Sequence, residues 1–403
     1  MAAIRLAVFK MAEPASSTNI NFEISNECFS VPTSAFEKDQ FEIASVPRKY
    51  KVKWVPGSPL ERVQALLDSS SRNALLIDKN VFNLHLKNLE IDPKRLFLAT
   101  PTEEFKSLQT GVIAVVDWMA GLGLTKGDTL IVIGGGITQD VGGFASCIFK
   151  RGIPWVFLPT TLLSMCDSCI GAKAGVNHRE NKNQLALFSA PREVLINPEF
   201  LKTLQSDEVR SGMGEVLKLH VTGGPHFLHR YTQLMRTADK GLPDISTIPD
   251  LLWGALLVKK AVIERDEFEL NLRRSLNYGH TVGHAVESLS HFAIPHGKAV
   301  AIGMWVANQL ATDKGLLSAA ENRNLQNVFR ELLDPSAVRM LKSITSADLG
   351  KCLATDKKNI GSKLNFAVVT KIGKMGFLAI ENNHELWDRL CRIFAEIERD
   401  CLQ

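Results

Sequence analysis

The sequence predicts an α/β protein with an N-terminal parallel sheet and a mainly helical C-terminal part. At 403 residues the chain is long enough for two domains of about 150 residues or more. Between residues 50 and 200, short β-rich runs alternate with helical patterns, as in parallel sheets with crossover helices. From about residue 205 onward, helical periodicity dominates. We therefore expect an extension (1–45), an α/β domain (46–204) and a helical domain (205–403).

Short apolar runs predict the strands of the α/β domain, after an N-terminal stretch that is polar and only weakly periodic. The expected strands are Ala74–Ile77, Leu96–Leu98, Thr129–Ile133, Trp155–Leu158 and Val194–Ile196. The longest helical patterns are Leu251–Arg265, Thr281–Leu289, Gly297–Lys314 and His384–Cys401. A late hairpin is expected from Asn365–Val369 and Met375–Ile380, with Lys371 to Lys374 in its turn.

Composition excludes several classes of partner. The net charge is only +4 and the basic residues are scattered, so we expect no nucleic acid. No apolar run approaches the roughly 20 residues of a membrane span, so we expect a soluble protein without a membrane. Seven cysteines, an odd and sparse set, favour a reducing compartment, and hence the cytoplasm. The Cys166 and Cys169 pair lacks a partner motif and favours a structural role.

A glycine-rich loop follows the strand expected to end at Ile133. Gly134, Gly135 and Gly136 precede a helix that we expect from about Val141. Such a loop lets the backbone approach a pyrophosphate, which the N–H groups and positive dipole end of the helix then bind. The spacing lacks the full dinucleotide fingerprint, so the loop by itself fits a Rossmann-like nucleotide site and a tight turn equally well.

Histidines and a carboxylate in the C-terminal half predict a metal site. His280 and His284 are four residues apart and share one face of a helix, with His296 further along and Glu215 upstream. Two imidazoles and one carboxylate make a catalytic zinc set that leaves a position for a substrate oxygen. The alternative is that each histidine satisfies a local hydrogen bond. Spacing does not decide which pair would bind the metal.

Taken together, these motifs resemble the 3-dehydroquinate synthase family of sugar-phosphate cyclases, from about residue 50 to the C-terminus. The residues that carry the resemblance are Gly134 to Asp140, Arg151-Gly152, Pro159 to Ser164, Asp167-Ser168, Lys173, Val176 to His178, Lys182-Asn183, Gly214 to Lys218, Arg273, Leu276-Asn277, His280 to His284 and His296-Gly297. The resemblance implies a Rossmann-like NAD-binding domain and a helical domain for metal and substrate.

The resemblance also implies roles for individual residues. It gives Glu215, His280 and His296 as ligands of Zn or Co. It places at the substrate Lys173, Asn183, Lys218, Lys259, Arg273, Asn277, His284 and Lys357, with Arg151 reaching the phosphate across the interface of a homodimer. It places at NAD the residues Asp78, Asn80, Glu103, Lys106, Gly135, Gly136, Ile137, Asp140, Thr160, Thr161, Asp167, Lys182 and Thr203.

The implied activity is a phosphate-eliminating lyase reaction that closes a seven-carbon sugar phosphate into a carbocycle. We favour 3-deoxy-arabino-heptulosonate 7-phosphate as substrate and 3-dehydroquinate, of the shikimate pathway or a related secondary route, as product. By similarity, Lys259 and Arg273 form the clamp for the substrate carboxylate. Asn277 keeps an amide where other sugar cyclases tend to carry an acid, and His284 is kept where sedoheptulose cyclases tend to show Ser-Pro.

Three alternatives remain open. A cyclase of secondary metabolism would act on sedoheptulose 7-phosphate or glucose 6-phosphate, and the N-terminal extension is more typical of those relatives. A metal-dependent alcohol dehydrogenase has a similar layout, but a small alcohol would not require the surplus of cationic and amide residues. A non-catalytic binding protein would have no evident use for a metal triad beside a lysine and a histidine.

Overall fold

The computed structural model describes residues 18–179, 181–238, 242–354 and 362–402. These residues divide into two compact units. Glu37–Gln205 form the first, which we call the α/β unit. The described residues up to Phe36 and from Ser206 onward form the second, which we call the helical unit.

Strands and helices alternate through the first unit, whereas helices dominate the second. The described strands are β1 (Asn19–Ile24), β2 (Glu27–Pro32), β3 (Gln40–Ile43), β4 (Tyr50–Trp54), β5 (Ala74–Asp78), β6 (Leu96–Ala99), β7 (Leu130–Gly134), β8 (Trp155–Pro159), β9 (Lys173–His178), β10 (Asn181–Phe188), β11 (Glu193–Ile196), β12 (Lys363–Lys371) and β13 (Lys374–Glu381). The described α-helices are α1 (Pro59–Asp68), α2 (Lys79–His85), α3 (Ala114–Gly121), α4 (Gly136–Ile148), α5 (Ser206–Thr222), α6 (Pro225–Leu234), α7 (Ile248–Arg265), α8 (His280–Leu289), α9 (His296–Asp313), α10 (Ala319–Arg330), α11 (Pro335–Met340), α12 (Ser346–Ala354) and α13 (His384–Leu402).

A seven-stranded sheet forms the core of the α/β unit, with strand order β3-β4-β11-β8-β7-β5-β6 in the described residues. Only its edge strand β3 runs antiparallel to its neighbour; the other pairings are parallel. β7 and β8 are buried at every residue, as expected for parallel strands covered on both faces. The fold class and the five strands expected from the sequence are therefore confirmed.

The order of the strands reverses between β5 and β7. From β5 the chain moves outward to β6, whereas from β7 it moves the other way through β8 to β11. At such a switch point the connections at the carboxyl ends of the two strands diverge and leave a crevice, where α/β proteins bind ligands. Asp78 ends β5 and Gly134 ends β7, so both border this position.

The helix after the glycine loop begins earlier than the sequence suggested. We expected it from about Val141, whereas α4 starts at Gly136 with Gly135 as its N-cap. Glycine has a low helix propensity, so the sequence pattern placed Gly136 in the loop. The backbone N–H of Gln139 nevertheless donates to the carbonyl oxygen of Gly135 at 3.0 Å, which closes the first turn.

The helical unit is built around α5, α8 and α9. The long helices expected from periodicity are present as α7, α8, α9 and α13. The late hairpin is also present, with β12 antiparallel to β13 and a tighter turn than expected, at Ile372 and Gly373. None of the helices in the described ranges combines the length and apolar character of a membrane span.

The described N-terminal residues are structured, in contrast to the extension drawn from the sequence. β1 pairs with β2 and also runs parallel to β13, so these strands extend the late hairpin into a four-stranded sheet. Phe22 on β1 is buried, stacks on Phe29 with 5.2 Å between ring centroids, and meets Phe227 of α6 edge-on. The indole N–H of Trp253 on α7 donates to the carbonyl oxygen of Ala35 at 3.0 Å. The alternation of apolar and polar residues in 19–32 is too short to predict strands from the sequence.

Phe22→Ala should lower the free energy of unfolding of the helical unit by about 3–5 kcal/mol, because it leaves a cavity between the hairpin and α6. The measurement is chemical denaturation followed by circular dichroism. Leu270→Ala is the control, because Leu270 lies in the same unit, is 75% exposed, and its loss should change stability by less than about 0.5 kcal/mol. Equal midpoints for the two variants would show that the N-terminal hairpin does not stabilise this unit.

Candidate metal and cofactor sites

The glycine loop of the α/β unit offers an anion site at the start of α4. α4 has 13 residues, and the N–H groups of its first turn have no partners within the helix. A side chain added at Gly136 would meet no other atom within 4 Å, so the helix end is open. The N–H of Thr160 donates to the carbonyl oxygen of Gly134 at 3.0 Å, which places the segment after β8 beside the loop. A pyrophosphate fits such a site.

Several residues that the resemblance assigned to NAD contact one another in this unit. Lys106 pairs with Asp140 at 2.6 Å, and Lys182 pairs with Glu103 at 2.9 Å. Burial raises the pKa of Asp140, and the Lys106 ammonium only partly offsets this effect. Asp78 accepts a hydrogen bond from the N–H of Asn80 at 2.7 Å and so caps α2 at the switch point.

The other residues assigned to NAD lie around the same sheet. Ile137 is in the first turn of α4, and Thr161 accepts a hydrogen bond from the N–H of Ser164 at 3.1 Å. Asp167 lies in a π-helical turn, Ser164–Ser168, and Thr203 contacts the His85 ring nitrogen Nε2 at 2.8 Å. Cys166 in the same turn and Cys169 just after it are buried and form no disulfide.

Three residues that the resemblance assigned to substrate also belong to the α/β unit. Arg151 is exposed and has a positive φ of 63°, in the turn that ends at Gly152. Lys173 begins β9, and Asn183 lies at an irregularity of β10, with a φ of 50°. The N–H of Asn183 donates to the side-chain oxygen of Asn177 at 3.0 Å. Non-glycine residues with positive φ are uncommon and collect at functional sites.

In the helical unit, Glu215, His280 and His296 converge on one point. Their ligand atoms lie within 4.8 Å of one another. The Nε2 atoms of both histidines are 3.2 Å from the same oxygen, Oε1 of Glu215. The Lys218 ammonium pairs with the other carboxylate oxygen of Glu215. Glu215 and Lys218 are almost fully buried, with side-chain exposures of 1% and 2%.

The outer nitrogens of the two rings are held by acceptors. Nδ1 of His280 lies 3.1 Å from the carbonyl oxygen of Tyr278, and Nδ1 of His296 lies 3.1 Å from Oε2 of Glu287. Since a carbonyl or carboxylate oxygen can only accept, each Nδ1 carries a proton and donates it. A neutral imidazole at either position directs the lone pair of Nε2 at the Glu215 carboxylate. A proton or a divalent metal ion between these acceptors relieves their repulsion, and the ligand set fits a divalent metal ion.

The protonation of the group agrees with this interpretation. Burial alone would raise the pKa of Glu215, but Lys218 and the two imidazoles hold it well below the usual range. Burial lowers the pKa of His280 to about 4, against the attraction of Glu215. For His296 burial acts in the same direction, but hydrogen bonds to Glu215 and Glu287 raise the pKa to about 10. Without a metal ion, a proton on His296 holds the acceptors together.

Close helix packing brings the three ligands together. A Cβ added at Gly297 of α9 would overlap the carbonyl oxygen of Ser211 on α5. A Cβ added at Gly303, further along α9, would overlap the carbonyl oxygen of Gly279, just before α8. The backbones of these helices are therefore in direct contact, which only glycine allows. His296, at the start of α9, and His280, at the start of α8, reach Glu215 for this reason.

His284 lies next to the cluster but on its exposed side. Its ring centroid is 5.2 Å from that of His280 and 5.8 Å from that of His296. Ligand atoms of His284, Glu287 and His296 also lie within 4.8 Å of one another. The structure thus brings all three predicted histidines together and leaves His284 able to exchange protons with a bound molecule.

The two cations of the expected carboxylate clamp are buried, not solvated. Lys259 and Arg273 have relative exposures of only 5% and 3%. Asp266 organises the turn between them, because its carboxylate accepts the N–H groups of Leu270, Asn271 and Arg273 at 2.8, 2.8 and 3.0 Å. The Arg273 guanidinium donates to the carbonyl oxygen of Glu267.

The sequence analysis did not single out three acidic residues of this unit, Asp266, Glu269 and Glu287. Asn277 donates to Oε1 of Glu269 at 2.6 Å, and Glu269 has a positive φ of 57°. Glu287 was detectable, since it follows His280 and His284 at helical spacing on the same face. Asp266 and Glu269 carry no comparable signal, because their contacts depend on a turn. Lys357 lies outside the described residues.

Comparison with known proteins identifies the family. Residues 96–211 match the family described as 3-dehydroquinate synthase N-terminal, and residues 212–359 match its C-terminal counterpart. The 3-dehydroquinate synthase of Streptococcus equi subsp. equi is 35% identical over 321 residues, which cover 78% of this chain and 87% of that protein.

Two solved structures have the same fold. The 2-epi-5-epi-valiolone synthase of Streptomyces hygroscopicus subsp. jinggangensis, with NAD+ and Zn2+ bound, is 27% identical, with a TM-score of 0.70 over 88% of this chain and 99% of that one. A 2-deoxy-scyllo-inosose synthase complexed with carbaglucose-6-phosphate, NAD+ and Co2+ has a TM-score of 0.71 over 88% and 99% of the two chains, and at 20% identity it supports the fold alone. The extent and identity of these matches show that the chain belongs to the 3-dehydroquinate synthase family.

Proposed function

We propose that the chain is an NAD- and metal-dependent sugar-phosphate cyclase that converts 3-deoxy-arabino-heptulosonate 7-phosphate to 3-dehydroquinate and eliminates phosphate. The observation that carries the proposal is the convergence of Glu215, His280 and His296 in the unit that also buries Lys259 and Arg273. The curated relative from Streptococcus equi carries the name of this activity. The family and this chemistry make the chain a sugar-phosphate cyclase; the choice of substrate is the finer proposal.

The α/β unit would hold NAD, and the helical unit would hold Zn or Co. NAD would supply transient oxidation of a secondary alcohol, which acidifies the neighbouring C–H bond and assists loss of phosphate. The metal ion would polarise the substrate oxygens. In the α/β unit, the start of α4 would hold the pyrophosphate, and Asp78 at the switch point would contact the nucleotide. Lys106 pairs with Asp140 in the same unit.

The residues of the helical unit hold charge and protons. Lys218 keeps Glu215 anionic, so the cluster retains its affinity for a cation. His284 is exposed and lies beside both histidine ligands, so its imidazole can accept a proton from the substrate. Lys173, Asn183 and Arg151 belong to the α/β unit, and the substrate contacts that the resemblance implies for them stay predictions. The homodimer, and the role of Arg151 within it, stay predictions.

A substrate carboxylate suits the two buried cations. Buried Lys and Arg side chains need anions or acceptors near them. The Arg273 guanidinium donates to the carbonyl oxygen of Glu267, and its charge acts on the Asp266 carboxylate. A substrate carboxylate would supply a further, charge-assisted contact. A neutral sugar would offer no such partner, so Arg273 favours the heptulosonate.

A second candidate is a cyclase acting on sedoheptulose 7-phosphate. The 27% identity to a 2-epi-5-epi-valiolone synthase, over 99% of that chain, favours it. Separate incubation with the heptulosonate phosphate, sedoheptulose 7-phosphate and glucose 6-phosphate decides the question through phosphate release and carbocycle formation. A preference of the wild type for sedoheptulose 7-phosphate would overturn the dehydroquinate assignment.

Chelation should abolish activity, and Zn or Co should restore it, because three protein ligands leave positions for substrate oxygens. His280→Ala should weaken metal binding by more than the roughly 10–100-fold that outer-shell changes cost. Bound metal is measured by elemental analysis after dialysis. His384→Ala is the control, since His384 is exposed and its ring meets that of Trp387 edge-on. Full metal occupancy in His280→Ala would contradict the ligand assignment.

NAD should be required yet unconsumed, because the proposed chemistry returns the hydride to the same molecule in each turnover. Activity of the protein freed of nucleotide should depend on added NAD, while absorbance at 340 nm should not rise as phosphate is released. NADH accumulating in proportion to product would favour the metal-dependent alcohol dehydrogenase instead.

Arg273→Ala should reduce kcat/KM for the heptulosonate phosphate by roughly 30-fold to several thousand-fold. This range corresponds to the loss of a charge-assisted contact worth about 2–5 kcal/mol. Any weak activity on sedoheptulose 7-phosphate should change little. Arg265→Ala is the matched control, because the Arg265 side chain is 66% exposed and pairs with Glu27. Equal losses of kcat/KM on both substrates in Arg273→Ala would show that Arg273 does not recognise the substrate carboxylate.

A further inference from the structure

The two histidines that face Glu215 have different partners on their outer nitrogens. His280 donates from Nδ1 to a neutral acceptor, the carbonyl oxygen of Tyr278, at 3.1 Å. His296 donates from Nδ1 to a charged acceptor, the Glu287 carboxylate, at the same distance. Hydrogen bonds to ionised acceptors are roughly twice as strong as those between neutral groups. His296 is therefore the more strongly oriented ligand and the stronger electron donor.

The backbone around Glu287 restrains the contact between its carboxylate and His296. The carbonyl oxygen of Glu287 accepts the N–H of Phe292 at 2.9 Å, which closes the end of α8. His291 and Phe292 both have positive φ values, 50° and 62°, which are rare for bulky residues. This strained turn brings the chain directly to His296 at the start of α9. Glu287 is thus tied to the segment before His296 by its backbone and to the ring by its side chain.

The charge of Glu287 also matters to the cluster. Among the described residues of the cluster, Glu215 and Glu287 contribute two negative charges and Lys218 one positive charge. A divalent cation would bring the group to a net charge of +1, and without Glu287 the same group would carry +2. The Glu287 side chain is only 19% exposed, so solvent screens this charge incompletely.

We propose that Glu287 is a positioning residue that orients His296 and raises the affinity of the cluster for a divalent cation. The inference rests on the proposed metal site and adds a residue outside its three ligands. Outer partners of metal-binding histidines fix the tautomer and ring orientation, and their loss typically costs 10–100-fold in metal affinity or activity. Glu287 makes no contact with the metal position itself, because its carboxylate faces Nδ1 of His296 and not Nε2.

The test measures Co2+ affinity of the purified full chain by competition with a chelator, without any assay of activity. Glu287→Gln keeps an acceptor for Nδ1 but removes the charge, so the Kd should rise by about 10-fold. Glu287→Ala removes both, so the Kd should rise towards about 100-fold. The visible absorption of bound Co2+ should change in position and intensity in both variants, because His296 is a weaker electron donor once its charged acceptor is lost.

Glu264→Gln is the matched control. Glu264 belongs to the same unit, has a similar side-chain exposure of 24%, and pairs with Lys260 on the surface of α7. Its Co2+ affinity and spectrum should equal those of the wild type. Thermal unfolding of the metal-free proteins checks the fold, and Glu287→Gln, which conserves volume, carries the test if Glu287→Ala does not fold.

Two results would overturn the inference. The first is an unchanged Kd and Co2+ spectrum in Glu287→Gln and Glu287→Ala. The second is a second equivalent of Co2+ on the wild type that both variants lose, which would make His284, Glu287 and His296 a cation site of their own. If the wild type itself binds no Co2+, the proposed metal site is wrong. If the wild type binds Co2+ and the Glu287 variants bind it equally well, only the proposed role of Glu287 is wrong.

Discussion

Direct backbone contact between α5, α8 and α9 is the constraint on which the helical unit depends. Gly297 and Gly303 allow α9 to approach the other two elements so closely that any side chain at these positions would overlap a carbonyl oxygen. The candidate ligands Glu215, His280 and His296 each lie one residue from a glycine. Close approach and metal geometry are therefore coupled, because the imidazoles reach the carboxylate only where the helices touch.

This packing buries a carboxylate, an ammonium group and two imidazoles close together, where little water reaches them. Glu215 is buried together with Lys218, and each would be unfavourable there without the other. The two imidazoles direct Nε2 at the same carboxylate oxygen, which repels them unless a proton or a metal ion lies between. The helical unit thus holds a group of acceptors that either a proton on His296 or a divalent cation can bridge. Strained backbone at Glu269, His291 and Phe292 lies on either side of α8 and fits the same interpretation.

In the α/β unit, the candidate ligand site follows from the order of the strands. Its parallel sheet reverses strand order between β5 and β7, so the loops at Asp78 and Gly134 diverge by topology alone. The open start of α4 then provides N–H groups to a negatively charged ligand without any dedicated cation. Lys106 and Asp140 form an ion pair in the same unit.

The sequence by itself determined the fold class, the strands of the parallel sheet, the long helices and the residue types of the metal cluster. These features depend on local periodicity, on glycine after a buried strand, and on the helical spacing of His280 and His284, which neighbouring residues encode. Only the tertiary structure decided that Oε1 of Glu215 faces both His280 and His296, that Arg273 is buried, and that Glu287 holds the ring of His296. It also decided that β1 and β2 join β13. Such contacts join residues far apart in the chain, and their geometry follows from how closely whole helices and strands pack, which no local pattern records.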